Sequence, residues 1–200
     1  MYPPKHHQDN HPEHCKEVAK NYPFATIISI KDNSPFITHT PLILQDDILL
    51  GHIDANNPQV ELLKNDQSVT TIFSGPQTYI SPSIYTTKQL PTWNYIISHG
   101  IGVVKEIKDP IFIKKFMVTM TSYLEGNKQA FTLDIEDPRM DKLIPYIHCF
   151  AIEINQWKGK FKISQDKNLN DIEKAKQELI KNNQRNIAEF VNNIYTNHFS

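Results

Sequence analysis

The stretch "WNYIISHGIGVVKEI", residues 93–107, is strand-like throughout, long for a single strand, and carries glycines at 100 and 102. Glycine inside a strand marks a bend or a bulge, the device that lets a sheet curl. A curling sheet points to a barrel rather than to a flat, open sheet.

The segments on either side agree. "PFATIISI" (23–30) and "PFITHTPLIL" (35–44) are strands rich in β-branched residues, joined through the turn residues "KDNS" (31–34), so the pair reads as a hairpin. After a second turn at "QDD" (45–47) comes a strand "ILLGHI" (48–53), then a short helix in "NNPQVELLKND" (56–66) opened by Asn57 and Pro58. "SVTTIFSG" (68–75) and "TYIS" (78–81) read as two strands parted by Gly75 and Pro76. Downstream, "DPIFIKKFMVTMTSYLEG" (109–126) has helical spacing, with Asp109 as cap, Pro110 in the first turn and Gly126 as stop. Residues 137–165 read as a short helix, a strand through "HCFAIEI", a Lys-Gly turn and a last strand "KFKIS". A final helix starts with Asn170 and Glu173 as a capping box, carries Ile172, Ala175, Leu179, Ile187, Phe190, Val191 and Ile194 at helical spacing, and is expected to break at "KNNQRN".

The expected fold is therefore mainly β with flanking helices (α+β): an antiparallel barrel over residues 1–170, with a C-terminal helical tail over 171–200 packing on the same domain. Neither G-x-G-x-x-G nor G-x-x-x-x-G-K-[ST] occurs, which argues against a doubly wound parallel sheet with a phosphate loop.

With 200 residues, 39% of them hydrophobic, the chain can bury one core. Its 21 basic and 22 acidic side chains leave a net charge of −1, so no global field draws it to nucleic acid or to an acidic membrane. The only arginines are Arg139 and Arg185, and no helix-turn-helix pattern stands out, so direct DNA contact has no support; Lys158, Lys160, Lys162 and Lys167 read as a solvated basic face. Cys15 and Cys149 form neither a disulfide framework nor a zinc knuckle, which fits a reducing cytoplasm. No stretch approaches the roughly 18 consecutive apolar residues of a membrane span. His6, His7, His11, His14 and Cys15 are metal-ligand types, but Asn10 as cap, Pro12 and Glu13 account for the segment as the start of a helix running to about Asn21, and no metal site is expected.

"YISPSIYTTKQLPTWNY" (79–95) is the candidate site. A phosphorylated planar cofactor needs hydroxyls and cations at its phosphate, amides at its ring edge, and a flat or apolar wall. Here Ser81, Ser83 and Thr92 carry hydroxyls, Lys88 a charge, Asn94 an amide, and Tyr85 and Trp93 flat surfaces. The same residue types also fill ordinary proline-stiffened loops.

Taken together, "PFATIIS", "THTPLIL", "GHIDANNPQ", "GPQTYISPSIY", "LPTWNY" and "KISQ" resemble, in order and approximate spacing, the PaiB-type family of FMN-binding negative transcriptional regulators, and "MYPPKH" resembles that family's start. The likeness runs from Met1 to about Asp171. It implies a split barrel that binds FMN at a homodimer interface. It further implies that His39, Gly51, His52, Asn57, Ser81, Ser83, Thr92, Trp93, Asn94, Lys162 and Gln165 lie near the cofactor, with Lys88, Lys160 or Lys162 at the phosphate. The sequence departs from the family at Ile84 and Val60, where larger aromatic residues are usual, so no stacking role carries over to either. His39 and His52 also have a plain alternative as barrel histidines, and His148 and Cys149, adjacent on a strand, should face opposite ways. The resemblance favours a flavin-binding regulator; the alternative is a flavin-dependent oxidoreductase of the pyridoxamine phosphate oxidase or flavin reductase type, for which the sequence identifies no catalytic side chain.

Overall fold

Asp32 and Asn33, at φ +51° and +60°, form the two-residue turn that reverses the chain between its first long strands. Positive φ at both central residues gives a turn whose twist matches paired strands, and Asp and Asn tolerate it. The strands it joins, β2 (Phe24–Lys31) and β3 (Ser34–Gln45), pair antiparallel from Lys31↔Ser34 to Phe24↔Pro41. A second two-residue turn, with Asp46 at φ +53°, leads into β4 (Ile48–Asp54).

The computed structural model describes residues 4–9, 11–183 and 188–199. The expected cap at Asn10, and Ile187 with part of the expected helix break, lie outside them. The other strands are β1 (Gln8–Asp9), β5 (Ser68–Ile80), β6 (Thr92–Ile107) and β7 (Ile147–Lys162). The helices are α1 (Pro12–Asn21), α2 (Pro110–Glu125), α3 (Pro138–Leu143), α4 (Leu169–Lys181) and α5 (Ala188–Phe199). The seven strands follow the order β1-β7-β4-β3-β2-β5-β6, and β7, next to the short end strand β1, also pairs with β6, as a split barrel requires. No described helix is long and apolar enough to cross a membrane.

Three expectations change. The segments 68–75 and 78–81 are one strand, because Pro76 lies beyond Ile72, the last β5 residue registered with β2, so its missing N–H breaks no bond to that neighbour. The Lys-Gly turn is absent: Gly159 is inside β7, where a Cβ would stand 2.8 Å from Asp9 Cβ and 3.2 Å from Cys15 Sγ, so close packing and not chain reversal requires glycine. The cap of α4 is Asn168, two residues before the expected Asn170; its side chain accepts from the Asp171 amide at 2.9 Å. At α2, by contrast, the Asp109 side chain accepts from the Ile111 amide at 3.0 Å and Gly126 follows at φ +59°, as expected.

The chain divides into two units. The first comprises Met1–Tyr22, Phe73–His99 and Trp157–Ser200. Its buried side chains include Val18, Phe73, Ile80, Ile96, Phe161 and Ile163, onto which α4 brings Ile172, Ala175 and Leu179 at helical spacing. Each fully buried Leu or Ile contributes about 1.5–3 kcal/mol. The second unit comprises Pro23–Ile72 and Gly100–Gln156. One face of its β3–β4–β7 sheet packs Ile43, Leu50 and Cys149 against Ile113, Phe116 and Met120 of α2. The opposite face buries Leu42, Leu49, Phe150 and Ile152. Gly102 of β6 lies against β7, where a Cβ would stand 2.8 Å from Ile152 Cγ2 and meet the Glu153 carbonyl.

Candidate functional site

In the first unit, the proline-rich stretch of the sequence and the end of β7 line one polar cavity of about 310 Å³. Thr92 and Asn94 enter it from β6, Lys162 and Ser164 from the end of β7 and the turn after it, and Tyr85 from the loop following a 3-10 turn over Pro82–Ile84. Lys162 Nζ donates to Thr92 Oγ1. Ser164 forms the polar floor: its Oγ accepts from Asn94 Nδ2 at 2.9 Å and lies 2.9 Å from Tyr85 Oη. Ser164 has φ +62°, a left-handed conformation that an L-residue holds only where its surroundings fix it. Here the fixing groups are Asn94, which is fully buried, and Tyr85.

The rim carries His7, Asp166 and Lys167. Lys167 Nζ lies 2.6 Å from Asp166 Oδ2. Burial alone would push the Asp166 carboxyl up, but the hydrogen bond and charge of Lys167 outweigh it and hold the carboxyl below its ordinary range. Burial, reinforced by the charges of His6 and Lys162, pushes His7 down to about 4, so its ring is neutral near pH 7.

The remaining residues singled out from sequence divide clearly. Ser81 caps the 3-10 turn, accepting from the Ser83 amide at 3.3 Å and bonding the Ser83 hydroxyl at 2.8 Å, so both serines shape the loop beside the cavity. Gln165 turns its amide onto the chain, accepting from the Ile163 amide at 2.8 Å and donating to the Phe161 carbonyl. Trp93 points outward from β6, 49% exposed, with its indole N–H donated to Gln77 Oε1. Lys88 is exposed on the loop, and Lys160 Nζ lies 5.5 Å from the Tyr95 ring centre. Of the three candidate lysines, Lys162 lines the cavity.

In the second unit, His39 is exposed on the outer face of β3, beside Ile37 and opposite Thr26. Asn57 caps the 3-10 turn Pro58–Leu62 through the Gln59 amide and donates to Thr38 Oγ1 at 3.1 Å. Gly51 is inside the sheet, where a Cβ would run into the Leu42 side chain and approach Phe150. His52 packs edge-on against Phe116 with its ring centre 6.3 Å away, and burial pushes its pKa down. His148 and Cys149 face opposite ways: the imidazole Nε2 lies 2.8 Å from the Leu63 carbonyl, and the thiol joins the α2 cluster.

Sequence reading missed His7, Ser164, Asp166, Lys167 and Asp171. Ser164 was within reach, since it lies inside "KISQ". Asp171 had no local signal: it is fully buried, and its carboxylate accepts from Thr86 N, Thr86 Oγ1, Thr87 Oγ1 and Asn168 Nδ2 at 2.7–3.1 Å, partners 85, 84 and 3 residues away.

Residues 1–156 match the sequence profile of the family described as "Putative FMN-binding domain". The chain is 26% identical over 176 residues to the protease synthase and sporulation protein PAI 2 of Bacillus subtilis, covering 86% of this chain and 85% of that protein. Its fold is similar to that of the FAD and heme binding protein from Mycobacterium smegmatis, with a TM-score of 0.62 at 14% identity over 78% of this chain and 73% of that one. It is equally similar to the flavocytochrome Anf3 from Azotobacter vinelandii, with a TM-score of 0.62 at 15% identity over 78% and 69% of the two chains. At these identities the two structures establish the fold alone.

Proposed function

The chain belongs to the PaiB-type FMN-binding family, and from that premise we propose that it is a flavin-dependent regulatory protein that carries FMN at a homodimer interface. The observation that carries the reading is the convergence of Thr92 and Asn94 with Lys162, some 70 residues further along the chain, in one cavity. An ammonium beside a hydroxyl suits a phosphate, and a buried amide over Ser164 suits a polar ligand edge. FMN, when bound, supplies electron transfer through its ring system; the chain's own residues bind, orient and shield it.

A second observation, on the second unit, supports the dimer. Along β2 and β3 the outward residues are apolar where solvent would favour polar ones: Phe24 is 64% exposed, Ile30 62% and Ile37 53%. Ile28 pairs with Ile37 and with Thr70, and Thr26 with His39 and Ile72, so the apolar residues of β2, β3 and β5 share this face with Thr26, His39 and Thr70. Exposed apolar side chains grouped on one sheet face and edged by polar ones support an association surface. A second copy presenting the same face covers it by two-fold symmetry, with His39 inside the contact.

Light scattering on the flavin-loaded protein tests the reading. A mass of two 23.2 kDa chains that holds on dilution supports it, and a flavin-loaded monomer contradicts it. Multiple-turnover oxidation of NAD(P)H by the loaded protein moves the assignment to a flavin-dependent oxidoreductase.

A further inference from the structure

We propose that an apolar cavity between α2 and α3, within the second unit, is a binding site for a neutral aromatic molecule of about two fused rings, covered on one side by the segment 129–137 as a strap. The cavity measures about 260 Å³, and of the side chains that line it Asp137 and Arg139 alone are polar. Those two satisfy each other. Asp137 Oδ1 accepts from the amide and from Nε of Arg139, at 2.9 and 3.0 Å, and its Oδ2 accepts from Nε at 3.0 Å. The hydrogen bonds of Arg139 hold the Asp137 carboxyl down to about 2, so near pH 7 both groups are charged and the pair has no net charge. A water held in a cavity needs several polar partners, and this engaged pair offers few. An anion would meet the Asp137 carboxylate and a cation the Arg139 guanidinium, so the guest that fits is neutral.

Volume and wall chemistry set the rest. An apolar cavity of about 150 Å³ holds a benzene ring, so one of about 260 Å³ accommodates roughly two rings. Met117 of α2 and Met140 of α3 bring thioethers to the wall, and Phe131 brings a ring. Sulfur–aromatic and ring–ring contacts favour an aromatic guest over an aliphatic one of the same volume. The wall on the core side is fixed, since Met117, Ile144 and Ile147 pack against the cluster that contains Phe116 and Met120. The strap is tied at its ends. At one, the Phe131 amide donates to Glu125 Oε2 at 3.3 Å; at the other, the amides of Glu136 and Asp137 donate to Asp134 Oδ1 and to the Asp134 carbonyl at 3.0 and 3.1 Å. Phe131 lines the cavity yet is half-exposed, so a guest beneath it buries more of its ring. A further cavity of about 140 Å³, lined by Val118 and Ser122 of α2 and by the strap, leaves the strap room to adjust. The site shares no residue with the polar cavity of the first unit and does not rest on the flavin reading.

Binding of β-naphthol and of β-naphthoate to the full chain is measured by calorimetry, with and without saturating FMN, for the unaltered protein, Leu143→Trp and Phe131→Ala. Leu143 and Phe131 line the cavity but are exposed, so neither change disturbs the core, and circular dichroism checks the fold. One β-naphthol should bind per chain whether or not FMN is present. Leu143→Trp, whose larger side chain takes up the space, should abolish binding, and Phe131→Ala should weaken it about three- to tenfold. β-Naphthoate should bind at least about tenfold more weakly, because its charge leaves water for a site whose guanidinium is already paired. Displacement of β-naphthol by FMN would put the probe in the flavin site and overturn the proposal. So would the lack of saturable β-naphthol binding, an affinity unchanged in both variants, or β-naphthoate binding as tightly as β-naphthol.

Discussion

The Asp171 carboxylate accepts from both the amide and the hydroxyl of Thr86, at 2.7 and 2.8 Å. Thr87 and Asn168 add a donor each, so the first turn of α4 holds the loop whose next residues, Gln89 to Thr92, line the cavity. The family match ends at residue 156, so this anchor lies outside the matched segment, as Lys162 and Ser164 do.

Replacing that anchor should loosen the loop before it unfolds the protein. Asp171→Asn keeps the size but turns an acceptor-only group into one with two N–H donors among the hydroxyls of Thr86 and Thr87, the Thr86 amide and the Asn168 side-chain amide. Hydrogen exchange at the Thr86 amide should accelerate at least about tenfold, while amides in the middle of β7 keep their protection. Equal acceleration at both places would mean that Asp171 supports the whole unit and not the loop. Although burial works against it, the hydrogen bonds from Thr86, Thr87 and Asn168 hold the Asp171 carboxyl below its ordinary value. Its contribution is therefore present above the ordinary carboxylate range and is lost as pH falls through the lowered folded value; the asparagine variant should lack that part of the acid transition.

His7 acts in the same pH direction, in a higher window. Its folded pKa of about 4 lies below its ordinary 6.5, so the unfolded chain takes up the proton first. Stability is at its full value above pH 6.5 and falls as pH drops from there toward 4. Thermal melts of the flavin-free protein between pH 4.5 and 7.5 should show that decline, and His7→Phe should reduce it. An identical pH profile for the variant would assign the decline elsewhere.

Gln59 is a purely structural counterpart to the cavity residues. Fully buried, it donates to Ser29 Oγ at 3.0 Å, to the Phe36 carbonyl at 3.3 Å and to the Ile27 carbonyl at 3.4 Å, tying the turn after β4 to the β2–β3 hairpin. Gln59→Ala should cost about 2 kcal/mol by removing these bonds and leaving a void. In a chain of this length that lowers Tm by about 4–8 °C, measurable by calorimetry. A change below about 1 °C would show that water replaces the amide.

Gly102→Ala tests the closeness of β6 and β7. The added methyl meets the Glu153 carbonyl, which is backbone and cannot rotate away, and lies 2.8 Å from Ile152 Cγ2. Overpacking of this kind costs about 1–3 kcal/mol. A denaturant midpoint that does not move would mean that the two strands part far enough to admit the methyl without cost.

Most of the β framework was legible because it is written in local chemistry. The Asp32-Asn33 turn fixes the β2–β3 register by itself, and Asp109, Pro110 and Gly126 bound α2. What misled were residues whose purpose is non-local. Gly75 and Pro76 look like a break, yet Gly75 is where β5 approaches β6, a Cβ there standing 2.9 Å from the Ile96 carbonyl. Gly159 looks like a turn and is a contact with Asp9 and Cys15. Asn168…Asp171 and Asn170…Glu173 carry the same capping pattern, and only the distant Thr86 and Thr87 select the first. The site shows the same division. Thr92, Asn94 and Lys162 could be picked out by resemblance and meet in one cavity, whereas His7 and Asp171 enter through pairings with no trace in neighbouring residues.

The apolar face of β2 and β3 gives a separate prediction for assembly. Ile37→Lys places a charge at the middle of the exposed strip, opposite Ile28. Burying an unpaired ammonium in an interface is strongly unfavourable, so the variant should shift from dimer to monomer at micromolar concentration while keeping its fold by circular dichroism. An unchanged dimer would move the interface to another surface.

Titration of the purified, flavin-stripped protein with FMN, followed by flavin fluorescence, tests the central claim most directly. Saturable quenching that ends at one flavin per chain is expected, with the flavin released intact on denaturation. Fluorescence that remains that of free FMN at every protein concentration would contradict it.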